Sequence, residues 1–319
     1  KNDNQIEIIL DQTPFYAESG GQVGDTGIFS CNDFSFEVSG TIKHQNEFIH
    51  VGQIKSGSIE NIKAIHASVT GSQREKIRLN HTATHLLHQA LKDVLGAHVQ
   101  QAGSLVAADK LRFDLTHYER MSEENVQKIE MLVNLVIREN HQVDTKVMNF
   151  DDAKESGATA LFGEKYEDDV RVVNIEGFSK ELCGGTHVSR TGDIGIFKII
   201  SETALSSGVR RIEAVTGAAV SKLLSKNDTL ISDVKHLLKC ADSEIIERLE
   251  SVVNEKRILE KEIKTINQSS QGSAVEDLVA LAENINGCKI VVEQLDNVTD
   301  FKEMGDSFRQ HFKNSGIAL

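Results

Sequence analysis

Three absences narrow this sequence before any motif is considered. The first is a cysteine framework: Cys31, Cys183, Cys240 and Cys288 lie far apart in dissimilar contexts, with no C-x-x-C pair. That excludes a disulfide scaffold and is the usage of a reducing compartment. The second is a long apolar run. No stretch approaches the roughly 20 residues that a membrane span needs, and no signal peptide opens the chain, so a cytoplasmic location without a membrane partner is expected. The third is positive charge in excess. A net charge of −13 argues against a broad basic surface for non-specific nucleic-acid binding, although a local basic site on an acidic body stays open. What remains is ordinary for a soluble globular protein: 319 residues, 39% hydrophobic and 26% charged, long enough for two or three domains each with its own core. The chain starts on Lys1 rather than Met and ends on the apolar Leu319, as a piece of a longer polypeptide would.

Two short stretches carry the chemistry. Residues 80–96 read as a helix with Asn80 as its N-cap and Gly96 as its stop, so that His81 and His85, four apart, project side by side. Leu86, Leu87, Ala90, Leu91 and Val94 then fall toward a core. A hundred residues on comes Cys183-Gly184-Gly185-Thr186-His187, a thiolate and an imidazole close enough in sequence to reach one ion. Either half alone is weak, because histidine pairs at this spacing arise by chance and a lone histidine is more often a satisfied polar residue. Together, three imidazoles and one thiolate make a tetrahedral zinc set.

Along the rest of the chain, residues 1–71 alternate at Ile6, Ile8 and Leu10, at Phe34, Phe36 and Val38, and at Phe48, Ile49 and Val51, which predicts a small antiparallel β-barrel or sandwich. The glycine-rich run from Phe15 to Gly27 has two readings: a hairpin that needs positive φ at several positions, or a loop whose backbone approaches a ligand closely, with Gln22 as an adaptable donor and acceptor. Arg74, Lys76 and Arg78 form either a solvated charge run or a phosphate-facing rim beside the metal. Strands around a turn are expected over 98–113, an amphipathic helix capped by Ser122 through about 140, a strand at 143–150, a helical turn at 151–156, and strands at 169–175, 192–200 and 208–217; the region is α+β. From Ile231 to Ile266 the apolar positions step by threes and fours, with two successive fours around Ile245 read as one stutter, which predicts a coiled-coil helix. Residues 268–273 read as a linker. A helix at 274–285, a strand at 289–294 and a helix at 301–314 open a last α/β unit. The expected division is a β-barrel domain over 1–71, a zinc-containing α+β domain over 72–222, the coiled-coil linker over 223–268 and the start of a C-terminal α/β domain over 272–319.

Five stretches in one order carry a resemblance: the Phe15-to-Gly27 loop, His81-Thr82-Ala83-Thr84-His85, Leu161-Phe162-Gly163-Glu164-Lys165-Tyr166, Cys183-Gly184-Gly185-Thr186-His187, and Gly208-Val209-Arg210-Arg211-Ile212-Glu213-Ala214-Val215-Thr216-Gly217. In these the chain resembles the C-terminal part of the alanyl-tRNA synthetases, over nearly its whole length: the editing domain, the helical linker after it and the opening of the C-terminal domain. The resemblance implies hydrolysis of the ester of serine or glycine wrongly attached to the alanine tRNA, a second sieve needed because a pocket for a small side chain rejects near-isosteres only by factors of roughly ten to two hundred. It implies one zinc per chain held by His81, His85, Cys183 and His187, with Gln22 and Thr84 in the editing pocket and a water held by one of them attacking the ester. ATP would serve only the aminoacylation domain, which the sequence does not contain. Arg210 and Arg211, with Arg74, Lys76 and Arg78, become candidates for the acceptor-end phosphates, and the coiled coil with the C-terminal unit a candidate for homodimerisation. Two further classes stay open: a zinc-stapled tRNA-binding module without chemistry, and a different zinc hydrolase acting on small molecules. For the last, no serine nucleophile or general base announces itself.

Overall fold

The computed structural model describes residues 5–160 and 168–293, and beyond these Lys302, Gly305, Asp306, Phe308 and Arg309, without the side chains of 267–274 and 288. The stretch 161–166, one of the five that carry the resemblance, lies outside the described residues. The chain divides into two compact units, residues 1–226 and 227–319.

In the first unit, strict alternation of apolar residues makes strands with one buried face. β1 (Ile6–Ile9), β2 (Gly27–Cys31), β3 (Phe34–His44), β4 (Glu47–Ser56) and β5 (His66–Val69) form an antiparallel sheet in the order β1-β4-β3-β2-β5, with Phe15, Phe29, Phe34, Phe36 and Val38 as its core. The expected barrel does not close, because β1 and β5 are the two edges of the sheet and do not pair with each other. Alternation demands a buried face, which an open sheet supplies as well as a barrel; closure depends on register and stagger, which the pattern does not carry. The glycine-rich loop lies across this sheet and beyond it. Val106 N donates to Gly21 O at 2.7 Å and Val23 N to Val106 O at 3.1 Å, so the loop is zipped to a strand of the next layer. Gly21 combines a φ of 82° with a backbone approach that would put a Cβ 2.7 Å from Ser104 O. Both properties expected of the loop are present, and the close approach at Gly21 is to the protein's own backbone.

The next helix, α1 (Gly71–Leu95), begins at Gly71 rather than after Asn80. The charged run before the histidines is its first two turns, with Ile77 turned into the core. Asn80 is therefore not a cap but a buried bracket: its Nδ2 donates to Ala107 O and its Oδ1 accepts from Thr216 Oγ1, each at 2.7 Å. Gly96, at φ 114°, does end the helix. Then come β6 (Gln101–Val106), β7 (Leu111–Thr116) and α2 (Glu123–Glu139). Ser122 caps α2 by accepting from Asn125 N, and Asn140 leaves it in the left-handed conformation. β8 (Val143–Asn149), α3 (Phe150–Glu155), β9 (Asp169–Ile175) and β10 (Ser179–Leu182) build a three-stranded sheet in the order β10-β9-β8. The strand expected over 192–200 starts late, because Thr191–Ile194 is a 3-10 turn and Gly195 at φ 78° redirects the chain. β11 (Phe197–Ser206) and β12 (Val209–Thr216) complete a four-stranded antiparallel sheet in the order β11-β12-β7-β6. The largest core joins α1 and α2 to this sheet through Leu86, Leu87, Leu91, Phe113, Ile129 and Ile212, all fully buried.

α4 (Ala218–Leu238) carries the chain into the second unit, where α5 (Ile245–Ala280), β13 (Glu283–Ile285) and β14 (Cys288–Ile290) follow. The single helix expected across Ile231 to Ile266 is broken. Lys239 sits in left-handed backbone at φ 50°, Lys235 and Asp242 pair across the break, and the Glu244 carboxylate accepts from Ala241 N at 3.0 Å. The apparent stutter around Ile245 is this break, since a local turn disturbs the spacing as an insertion into a heptad would. The expected linker at 268–273 is helical throughout, and α5 runs on to Ala280 before the chain turns into β13, where a helix was expected. Leu249, Val252, Leu259 and Ile263 of α5 are exposed. Phe308 packs with Val275 and Leu278. Among the described residues no helix is long and apolar enough to cross a membrane.

Because Asn80 satisfies two polar groups from inside a helix, Asn80→Ala is expected to lower the unfolding free energy by about 2 kcal/mol, read from the urea midpoint at unchanged slope. An unshifted midpoint would show that the bracket contributes nothing.

Candidate metal centre

Helical spacing places His81 and His85 on one side of α1, their rings parallel with centroids 5.4 Å apart. The second half of the site arrives from β10. Cys183 follows its last residue, Cys183 N donates to Arg171 O at 2.9 Å, and Arg171 Nη1 donates back to Cys183 O at 2.9 Å and Gly185 O at 2.6 Å. The turn is thus pinned from β9. It also leaves no room at Gly185, where a Cβ would stand 2.0 Å from His81 Cε1.

These constraints bring the four predicted ligands together. Cys183 Sγ lies 3.4 Å from His81 Nε2 and 3.2 Å from His187 Nε2, and the ligand atoms of His81, His85, Cys183 and His187 all lie within 4.8 Å of one another. Tetrahedral bonds of about 2.0–2.3 Å would separate such atoms by roughly 3.3–3.6 Å, so the set can hold one metal ion with little adjustment. The far side of each ring agrees. His81 Nδ1 meets Gln22 Oε1 at 2.7 Å, His85 Nδ1 meets Glu181 Oε2 at 2.6 Å, and His187 Nδ1 meets Thr82 Oγ1 at 3.1 Å. Gln22 Oε1 also accepts from Thr186 N at 2.8 Å and Thr186 Oγ1 at 3.2 Å, which identifies it as the oxygen and His81 Nδ1 as a donor. Each imidazole is held by Nδ1 and turns Nε2 inward, the arrangement of metal-bound histidines. His85 Nε2 is buried with no hydrogen-bond partner among the described residues, an orphan that an ion at the common point would satisfy.

The electrostatics point the same way. Burial would raise the Cys183 thiol, but His81, His187 and His85 outweigh it and hold it well below the usual thiol range. Burial, with His81 beside it, pushes His187 down to about 3, so this ring is neutral. At His85 burial works against the charged form, yet Glu181 and Cys183 prevail and lift it to about 10. Burial would likewise raise Glu181, and His85 and His88 hold it well below the usual carboxylate range. A deprotonated sulfur and a neutral ring are the forms in which these side chains bind a metal ion.

A cavity of about 330 Å³ opens over the site, lined by His81, His85 and Cys183 together with Thr84, Gln101 and Arg171. Thr84 Oγ1 donates to Asn80 O at 2.9 Å, which leaves its lone pairs as acceptors. Gln22 is fully buried on the far side of His81 from Cys183; its oxygen is committed, and its Nε2 has no partner among the described residues. The five predicted basic residues do not line this cavity. Arg74 is paired with buried Asp25 and donates to Pro14 O, Arg78 donates to His187 O and pairs with Glu75, Arg210 pairs with Glu202, and Arg211 pairs with Asp114. Lys76 is exposed.

Sequence reasoning missed Arg171, Glu181 and Thr82. Glu181 had a legible signal: two residues before Cys183 on an extended strand, it must share that residue's face. Arg171 had none, because only the pairing of β9 with β10 brings it to the turn.

Two family models match the chain. Residues 170–213 match the Threonyl and Alanyl tRNA synthetase second additional domain, and residues 1–73 match the tRNA synthetases class II (A). The first match spans β9, β10, the Cys183 turn, β11 and most of β12; the second spans the open sheet and the start of α1. Whatever the metal, the crowding at Gly185 makes a clear demand: Gly185→Ala is expected to reduce metal content after dialysis from one ion per chain to traces. Elemental analysis of the purified variant checks it, and full retention would refute the geometry.

Proposed function

The chain belongs to the threonyl and alanyl tRNA synthetases, and from that premise we propose that its cavity is a proofreading site which hydrolyses serine or glycine from the alanine tRNA. The single observation that carries the proposal is the convergence of His81, His85, Cys183 and His187, the first three of which line a cavity of about 330 Å³. That volume suits a small aminoacyl group and part of the terminal nucleoside, not folded RNA.

The donor set, three imidazoles and a thiolate, is that of zinc. When bound, zinc would supply Lewis-acid polarisation of the ester or a template for the terminal adenosine and amino acid. The remaining work belongs to the chain. Thr84 spends its proton on Asn80 O, so its oxygen accepts from the attacking water and turns a lone pair of that water toward the carbonyl. Gln22 holds His81 and Thr186; fully buried and not among the residues that line the cavity, it acts by positioning His81 and the cysteine turn rather than by touching the ester. Positioning suffices for an ester already activated, which fits a cavity whose two lining serines, Ser19 and Ser104, have no histidine hydrogen-bonded to them among the described residues. ATP has no part in such a hydrolysis.

Tight substrate selection here means a second sieve: the cavity admits serine and glycine esters that a synthetic site rejects only weakly. Lys76, on the ligand helix itself, is the exposed cation that precedes His81 most closely, and we assign it to the acceptor-end phosphates. Arg74, Arg78, Arg210 and Arg211 would join it while keeping their present carboxylate partners. The exposed apolar residues of α5 are the proposed dimer contact, and the cytoplasm the proposed location.

One observation favours a second reading, a zinc-stapled tRNA-binding module without chemistry. Four protein ligands close a tetrahedral site, as in structural zinc sites, whereas catalytic ones keep a position open. A single assay separates the two. The metal-loaded chain should hydrolyse seryl-tRNA(Ala) over many turnovers and spare alanyl-tRNA(Ala), and Thr84→Val should slow the former by roughly 100-fold with RNA binding unchanged. Tight binding without turnover would establish the module and discard the proofreading site.

A further inference from the structure

Behind the four ligands stands a group that the hydrolysis does not use. Glu181 is 5% exposed and His88 3%. Glu181 Oε2 takes the Nδ1 hydrogen of His85 at 2.6 Å, while Oε1 is held by His88 Nδ1 at 3.0 Å and by Ser179 Oγ at 3.3 Å. The His88 ring packs on Phe113 with centroids 5.2 Å apart, and its Nε2 is buried without a partner among the described residues. A histidine buried at such cost needs a return beyond filling space.

Charge supplies one. A divalent ion held by one thiolate and three neutral rings keeps one uncompensated positive charge, and burying a net charge is expensive. Glu181, one ring away, brings the local sum to zero. Geometry supplies another. Glu181 lines the cavity beside the ligands, and a carboxylate with one oxygen free could rotate and become a ligand itself. With Oε1 fastened by His88 and Ser179, Oε2 stays on His85 Nδ1, and Nε2 stays turned to the ion.

We propose that Glu181 is the positioning residue that sets the metal affinity of this site, acting through His85, and that His88 is the latch that keeps Glu181 in this outer role. The inference rests on the metal-site reading above, and its test is separable from it. Zinc affinity is measured on the whole chain by competition with a chromophoric chelator, and coordination by the visible spectrum of the cobalt-loaded protein. Glu181→Gln should weaken zinc binding roughly 10- to 100-fold, as loss of an outer-sphere partner does elsewhere. His88→Leu should weaken it as well and lower the cobalt band intensity as the freed carboxylate enters the coordination sphere, and His88→Asn, whose amide can still reach Oε1, should restore both. In the double variant Glu181→Gln/His88→Leu the loss should not exceed that of Glu181→Gln alone. If Glu181→Gln folds poorly, the His88 pair of variants still decides. Unchanged zinc affinity and spectrum in either folded variant, or fully additive losses, would overturn the inference. A wild-type chain that takes up no zinc would instead overturn the metal reading itself.

Discussion

One buried oxygen ties the first unit together. Oε1 of Gln22 receives a ring nitrogen of α1 and both the backbone and the hydroxyl of Thr186, so the glycine-rich loop, the histidine helix and the cysteine turn meet at a single acceptor. Three donors on one carbonyl oxygen leave it no freedom, and in a buried place each unmade bond would cost about 1–3 kcal/mol. The N-terminal sheet is therefore part of the metal centre rather than an appendage to it.

From that point the site is organised in two layers with opposite demands. The inner atoms, a sulfur and three ring nitrogens, converge within 4.8 Å of one another, and the rings hold the sulfur well below the usual thiol range. The outer oxygens of Gln22 and Glu181 accept from Nδ1 of His81 and His85, and Thr82 Oγ1 meets Nδ1 of His187. Arg171 and Gly185 shape the turn between the layers, one by gripping two carbonyls and the other by having no side chain to collide with His81. Many modest hydrogen bonds share a few buried atoms here, and together they fix the layers in place.

Much of this was legible in the residues. The convergence of His81, His85, Cys183 and His187 was readable because metal chemistry accepts few side chains, and the spacing of His81 and His85 puts both on one side of a helix. α2 was readable from its cap and its period. Three failures have a common cause, which is that pattern reports local burial and not what fills the other side. The period of two in β1 to β4 fits a sheet open or closed. The polar run before Asn80 reads as lying ahead of the helix, yet Arg74 and Arg78 find partners in Asp25, Glu75 and the backbone, and the helix runs through it. At Lys239 no glycine or proline announces a break, and the turn is made by a lysine in left-handed backbone next to an ion pair. The serine- and glutamine-rich stretch after Ile266 is helical because α5 is already nucleated on both sides, and propagation costs little once that is so.

The sequence separations within the Gln22 junction have a consequence for how such a chain comes into being. His81 lies 59 residues after Gln22, and Thr186 lies 164 after it. At a synthesis rate of about 5–20 residues per second, roughly 10–30 s pass between the emergence of the amide and that of its last donor. For most of that interval His81 is the one partner of the Gln22 oxygen that has been made, and the imidazoles of α1 await the cysteine turn. The longest hydrogen bond in sequence among the described residues thus waits for the Cys183 turn, and chaperones or metal carriers have their opportunity before that turn closes.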